Sequence, residues 1–240
     1  MLTLFFVPEI TNADRIEVSG EEAHHALKVL RIAKGEEILL SDGKGSWVRA
    51  KVSDLGKRTF EVTVLERGTS TTSKPKLTVL QGIPKSDRVK EAIEMMTEAG
   101  VDEIVAWNAE RSISRWQDKS QEKWENGALA AAKQARRFFI PKISSVEKLP
   151  DYIASVIGSF ALIVLHEGAS VPLSKIVTPS MADLDEIILV IGPEGGITPH
   201  ELEVLEQGGA RTAKMGEIVF RSAHAGGAAL SAISALIGKW

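Results

Sequence analysis

The 240 residues carry 29 Lys and Arg against 32 Asp and Glu, a formal net charge of -3 with pI near 6.0, so no overall cationic field announces a polyanionic partner. Cysteine is absent, which excludes a disulfide framework, thiolate catalysis and cysteine-ligated zinc, and suits a reducing compartment. No apolar run approaches the length needed to span a bilayer, and Met1–Ile10 lacks the basic leader and small-residue cleavage site of a secretory signal, so a soluble cytoplasmic protein is expected.

The first seventy or so residues alternate apolar and polar side chains, which predicts antiparallel strands over Leu2–Val7, Arg15–Ser19, Glu36–Ser41, Trp47–Ser53 and Thr59–Glu66. One helix interrupts them: Ser19-Gly20-Glu21-Glu22 opens it, Ala23, Ala26, Leu27 and Leu30 recur at helical spacing, and Lys34-Gly35 closes it. Five strands and a helix predict a small β-barrel domain over residues 1–72. The polar, hydroxyl-rich stretch Gly68–Pro75 reads as a linker.

Beyond it the period changes. Leu77–Gln81, Asp102–Trp107, Phe160–Leu165, Ile187–Ile191 and Thr212–Met215 are predicted strands; Asp87–Gly100, roughly Lys119–Arg137, and Ser222–Ile237 are predicted helices. Alternating strands and helices predict a parallel α/β sheet over residues 73–240. Charge is uneven as well. Residues 73–145 carry 13 Lys and Arg against 10 Asp and Glu, which makes the middle of the chain the expected docking region for a polyanion.

The most informative stretch is Asp185–Gly209, DEIILVIGPEGGITPHELEVLEQGG. The β-branched run Ile187–Ile191 suits a strand buried on both faces, so Gly192-Pro193-Glu194-Gly195-Gly196 forms the turn at its carboxyl end. Thr198, Pro199 and Glu201 then supply an N-cap, a first-turn proline and a capping-box acid, and Gly208-Gly209 the stop. Open α/β sheets bind ligands beyond such strand ends. Two other strand ends carry glycine: Leu165-His166-Glu167-Gly168, and Met215-Gly216-Glu217-Ile218-Val219-Phe220-Arg221. The three together would enclose a flat, partly apolar ligand between apolar walls and backbone hydrogen-bonding groups.

An adenosine cofactor fits that description, but the glycine loops typical of dinucleotides and nucleoside triphosphates are absent. Glu194 inside the loop disfavours phosphate and tolerates a cation. S-adenosylmethionine carries a sulfonium and no phosphate. The paired His24 and His25 do not make a metal site, because adjacent helical side chains diverge by about 100°. Packing of one ring in the core, with the other at the surface or on RNA, is expected. Most tryptophans are expected to pack, although Trp107 and Trp116 flank a basic loop where a base could stack.

LVIGPEGGI at Leu189–Ile197, with Val164–Glu167 before it and Met215-Gly216 and Phe220-Arg221 after it, resembles the RsmE family, small-subunit ribosomal RNA uridine N3-methyltransferases of the SPOUT superfamily. Further matches follow in order along the chain. They are Phe5-Phe6-Val7, Glu22–His25 with Val29-Leu30-Arg31, Asp42-Gly43, Pro84–Arg88, Ala109–Ser112 and Lys133–Arg137. The resemblance implies a PUA-like β-barrel followed by a SPOUT-type parallel sheet with a C-terminal trefoil knot, working as a homodimer on 16S ribosomal RNA or the small ribosomal subunit. Two positions depart from the family pattern. Leu4 stands where an arginine is common, and Ser222-Ala223-His224 replaces a polar Thr-Glu-Thr-like run.

Within this reading the cofactor is held by Leu165, His166 and Glu167, by Ile191 with Gly192–Gly196, and by Met215, Gly216 and Ile218–Arg221. Arg221 is the catalytic candidate for stabilising charge on the uracil oxygens, and Glu194 for accepting the N3 proton. Lys28, Arg31, Arg88, Arg111, Lys133, Arg136 and Arg137 are the candidate RNA contacts. A superfamily enzyme acting on transfer RNA and a non-catalytic RNA-binding protein are the competing readings.

Overall fold

In the computed structural model, which describes residues 2–240, the N-terminal alternation becomes a five-stranded sheet. Its strands are β1 (Thr3–Phe6), β2 (Arg15–Val18), β3 (Glu37–Ser41), β4 (Ser46–Leu55) and β5 (Phe60–Thr69), in the order β1-β3-β4-β5-β2. All neighbours are antiparallel except β1 and β3. Alternate residues point inward, so Ile16, Val18, Ile38, Leu40, Val48, Val52, Phe60 and Val62 share one apolar core with Ala23 and Ala26. Strand β5 runs on to Thr69, two residues into the stretch expected to be linker.

Helix α1 (Gly20–His24) continues as a π-helical turn over His25–Leu30 and stops at Arg31, whose φ of 54° is left-handed. The helix therefore ends before the expected Lys34-Gly35 stop. His24 and His25 are both exposed, so neither ring packs in the core.

The chain divides into two compact units, Met1–Thr72 with Ala132–Ile140, and Ser73–Ala131 with Pro141–Trp240. A single domain over 73–240 is thus not what the contacts give: Ala132–Ile140 groups with the first unit. There Phe138 stacks on Trp47 with ring centroids 5.3 Å apart, and Ser41 Oγ and Gly45 N both donate to the Phe138 carbonyl.

The second unit holds six parallel strands. They are β6 (Lys76–Gly82), β7 (Glu103–Trp107), β8 (Lys142–Val146), β9 (Phe160–Leu165), β10 (Glu186–Ile191) and β11 (Arg211–Ala213), in the order β11-β9-β10-β6-β7-β8. The inner strands β6, β7 and β10 are buried along nearly their whole length, as continuous apolar runs covered on both faces must be. Each fully buried Val, Leu or Ile contributes about 1.5–3 kcal/mol.

The covering helices are α2 (Val89–Glu98), α3 (Ser120–Ala135), α4 (Leu149–Ser155), α5 (Leu173–Ile176), α6 (Pro199–Gln207) and α7 (Ser222–Leu236). Helices α2 and α7 approach closely: a Cβ on Gly227 would lie 2.9 Å from both Met95 Cβ and the Met95 carbonyl oxygen. Helix α3 ends at Ala135, so Arg136 and Arg137 lie beyond the helix expected to carry them, and Arg136 is left-handed at φ 53°.

Candidate functional site

Strand register decides which loops meet. Ile191, the last residue of β10, pairs with Leu165 on one side and Gln81 on the other, and Leu165 also pairs with Ala213 of β11. Four carboxyl ends therefore stand level and adjacent, and the loops leaving them surround one cleft of about 850 Å³. That volume lies in the range of small-molecule and cofactor sites.

Every position expected at the cofactor lies on this cleft. Leu165, His166 and Glu167 line it from the loop after β9. Ile191 and the loop Gly192–Gly196 line it from β10. Met215, Gly216 and Ile218–Arg221 line it from the loop after β11. Ile218, Val219 and Phe220 are large apolar residues left 83%, 69% and 45% exposed, so this wall is without a protein partner among the described residues. Exposed apolar surface at a cleft mouth is suited to a ligand or a partner.

The Gly192–Gly196 loop is held from three directions. Ser222 Oγ donates to the Gly192 carbonyl at 2.6 Å and accepts from Gln81 Nε2 at 3.1 Å, tying the loop to the start of α7 and the end of β6. Lys85 N donates to Glu194 Oε1 at 3.1 Å. Arg111 Nη1 donates to the Gly195 carbonyl at 3.3 Å, and a Cβ on Gly195 would sit 2.8 Å from the Arg111 carbonyl oxygen. Gln81 was not singled out in the sequence, and Ser222 was singled out only as part of the run that departs from the family pattern. The available signal was Gln81 itself, a polar residue directly after the apolar pair Val79-Leu80.

Helix α6 begins as its sequence predicts. Glu201 N donates to Thr198 Oγ1 at 3.2 Å and Thr198 N to Glu201 Oε2 at 2.8 Å, completing the capping box. The other Glu201 oxygen accepts from Glu110 N at 2.7 Å, which anchors the loop that carries Arg111. A residue expected only to cap a helix thus also positions the cleft's basic side.

The electrostatics differ from the phosphate-averse pocket expected from the loop alone. Glu167, Glu194 and Glu217 line the cleft, but so do Lys85, Arg88, Arg111, Lys214 and Arg221. Lys214 is taken up by Glu217 at 2.7 Å, and this contact holds the Glu217 carboxyl below its ordinary range. Arg88 pairs with Glu91 at 3.0 Å, and His224 Nε2 lies 2.7 Å from the other Glu91 oxygen. His224 first, and Arg88 with it, hold the Glu91 carboxyl below its usual range. Arg221, the residue before α7, has no ion-pair partner among the described residues.

The basic candidates separate into two groups. Arg88 and Arg111 line the cleft, whereas Lys28, Arg31, Lys133, Arg136 and Arg137 belong to the first unit. Lys133 already holds Glu22 in an ion pair that leaves its side chain 25% exposed, so its charge is largely satisfied within the fold. Trp107 is 2% exposed and cannot offer a stacking face, while Trp116 packs edge-on against Trp124 at 5.3 Å.

Comparison with known proteins agrees across the chain. A family model described as an RNA methyltransferase domain matches residues 71–234, and an RNA methyltransferase PUA domain model matches residues 18–65. The Ribosomal RNA small subunit methyltransferase E of Mycobacterium bovis is 36% identical, covering 99% of this chain and 93% of its own length. The Bacillus subtilis protein of the same name is 27% identical over 94% of this chain and 92% of its own. The crystal structure of the Neisseria gonorrhoeae protein of that name, bound to S-adenosyl methionine, superposes with a TM-score of 0.88 at 25% identity, covering 98% of each chain.

Proposed function

We propose a function from one premise: the chain belongs to the RNA methyltransferase family whose domain model spans residues 71–234. It is an S-adenosylmethionine-dependent ribosomal RNA methyltransferase with a SPOUT-type parallel sheet and an N-terminal PUA-like domain. The finer reading is methylation of N3 of a uridine in 16S ribosomal RNA. The observation that carries it is the convergence of three strand-end loops on one cleft with apolar walls, backbone polar groups and a basic side.

The residues present fit the cofactor. Its volume can be housed, Ile218–Phe220 supply apolar surface, and glycine at 192, 195 and 196 exposes main-chain groups in place of side chains. When bound, S-adenosylmethionine supplies an electrophilic methyl group. The chain's own residues must do the rest. Uridine N3 bears a proton and becomes nucleophilic only as that proton leaves, which puts negative charge on the flanking carbonyl oxygens. Arg221, unpaired at the cleft, stabilises that charge. Glu194 takes the proton, directly or through water; its Oε1 is fixed by the Lys85 N–H and its second oxygen stays available. Arg88 and Arg111 hold the flanking phosphates on the basic side.

The same family reading extends to a C-terminal trefoil knot, a homodimer and work in the cytoplasm on the small ribosomal subunit. The test is incubation with labelled S-adenosylmethionine and small subunits from a strain lacking the enzyme, followed by nucleoside analysis. Label in 3-methyluridine is expected; label in another nucleoside, or none, refutes the assignment.

A further inference from the structure

We propose that the first unit carries a phosphate-binding hollow for the RNA backbone, formed by Gly20, His24, Leu27, Lys28, Lys57 and Arg58. The proposal rests on the RNA methyltransferase reading and names where, outside the cleft, the substrate is gripped.

Register builds the hollow. Phe60, at the start of β5, pairs with both Leu55 at the end of β4 and Val18 at the end of β2. The β4–β5 turn and the start of α1 are therefore carried to the same edge of the sheet. The turn is tight, closed by Gly56 N donating to the Thr59 carbonyl at 2.9 Å, and it presents Lys57 and Arg58 at its apex. Opposite them, Gly20, His24 and Lys28 recur every fourth residue along one helical face, with Leu27 as apolar floor. The concavity is about 570 Å³.

Charge identifies the occupant. No carboxylate lines the hollow, although three lysine or arginine side chains and a histidine do. Several other cations of this unit are neutralised by the fold: Arg49 by Glu37 and Glu66 at 2.9 and 3.1 Å, Arg15 by Glu61 at 3.8 Å, and Lys133 by Glu22. Lys28, Lys57 and Arg58 have no ion pair or side-chain hydrogen bond among the described residues. Like charges gathered in a concavity without counter-charges repel one another, and that cost is recovered when a polyanion displaces their solvent ions. A phosphodiester strand supplies such charge at regular spacing, and the apolar floor admits a sugar or base edge.

The test compares wild type with Lys57→Gln/Arg58→Gln and with Lys28→Gln. Binding of a fluorescein-labelled single-stranded oligoribonucleotide is followed by anisotropy across a salt series. Each lost phosphate contact flattens the slope of log K against log salt by about 0.7 for a single strand, so the double variant should lose about 1.4. S-adenosylmethionine affinity, measured by calorimetry, should stay as in wild type, and Lys57→Arg/Arg58→Lys should restore the slope. An unchanged slope in the double variant overturns the proposal. So does an equal change from Lys51→Gln, an exposed β4 lysine outside the hollow, because the effect would then be general surface charge. Loss of inorganic pyrophosphate binding with the RNA slope intact also overturns it, assigning the hollow to a small free anion. If wild type methylates RNA while the slopes stay equal, only the hollow fails; if wild type neither binds nor methylates RNA, the functional reading fails with it.

Discussion

Replacing Gly82 by alanine probes the link between the sheet edge and the cofactor loop more directly than any substitution inside the loop. Gly82 is the last residue of β6, and a Cβ built on it would lie 2.6 Å from Pro193 N, 2.7 Å from Pro193 Cδ and 2.9 Å from Gly192 C. These are backbone and ring atoms, so no flexible side chain can swing away. Ordinary contact begins near 3.4 Å, and the loop must therefore retreat by roughly 0.8 Å from its present 2.6 Å separation. The Ser222–Gly192 hydrogen bond of 2.6 Å would stretch with it. Overpacking of this kind costs about 1–3 kcal/mol. For a chain of this size that corresponds to a melting temperature lower by about 2–12 °C. A displacement approaching 1 Å at a positioning element can cost about a hundredfold in catalysis. Calorimetric titration with S-adenosylmethionine should show weaker binding by about ten- to a hundredfold, read alongside a thermal melt. Wild-type affinity within twofold, in a variant that melts as wild type does, would refute the claim that β6 buttresses this loop.

Arg221→Ala is expected to lower kcat by about 10²–10³, since the guanidinium serves developing charge and has no ion pair to lose; a change confined to KM would assign it to substrate binding instead. Ser222→Ala removes two hydrogen bonds in a buried setting and should destabilise by about 1–3 kcal/mol, measured by urea unfolding, with a parallel loss of cofactor affinity. Acid sensitivity should centre on the opposite edge of the sheet. Burial alone would raise the Glu103 carboxyl, but hydrogen bonds from Lys76 at 2.7 Å, Lys142 and Ser144 outweigh it and hold the group below its ordinary range. A depressed carboxyl contributes stability above its unfolded value of about 4.3 and loses it as pH falls through the folded value, so the melting temperature should drop between about pH 5 and 3. That drop should shrink in Glu103→Gln, and an equal drop in both proteins would remove Glu103 as its origin.

Local chemistry made much of this molecule legible. The apolar, mostly β-branched run at Ile187–Ile191 and the Thr198–Glu201 capping box identify a buried strand and the helix after it, because both signals act within a few residues. The three glycine-bearing strand ends are legible in the same way, as glycine directly after an apolar run marks where a strand stops. Strand β8 escaped because KISSV is an edge strand with one neighbour and one buried residue, too polar to show a period. The return of Ala132–Ile140 to the first unit escaped because Phe138 finds Trp47 only across a long chain separation. Arg136 and Arg137 looked like a helical cluster, but the helix stops before them.

What only the tertiary structure decided is adjacency. Propensity and capping act locally and say which segments are strands, but the β11-β9-β10-β6 order depends on which buried faces pair after collapse. That order brings His166, Gly192 and Met215 to one cleft with Arg88 and Arg111, and the β2–β5–β4 register brings Lys57 and Arg58 to Lys28. Charges distant in sequence become a site only when long-range pairing sets them side by side.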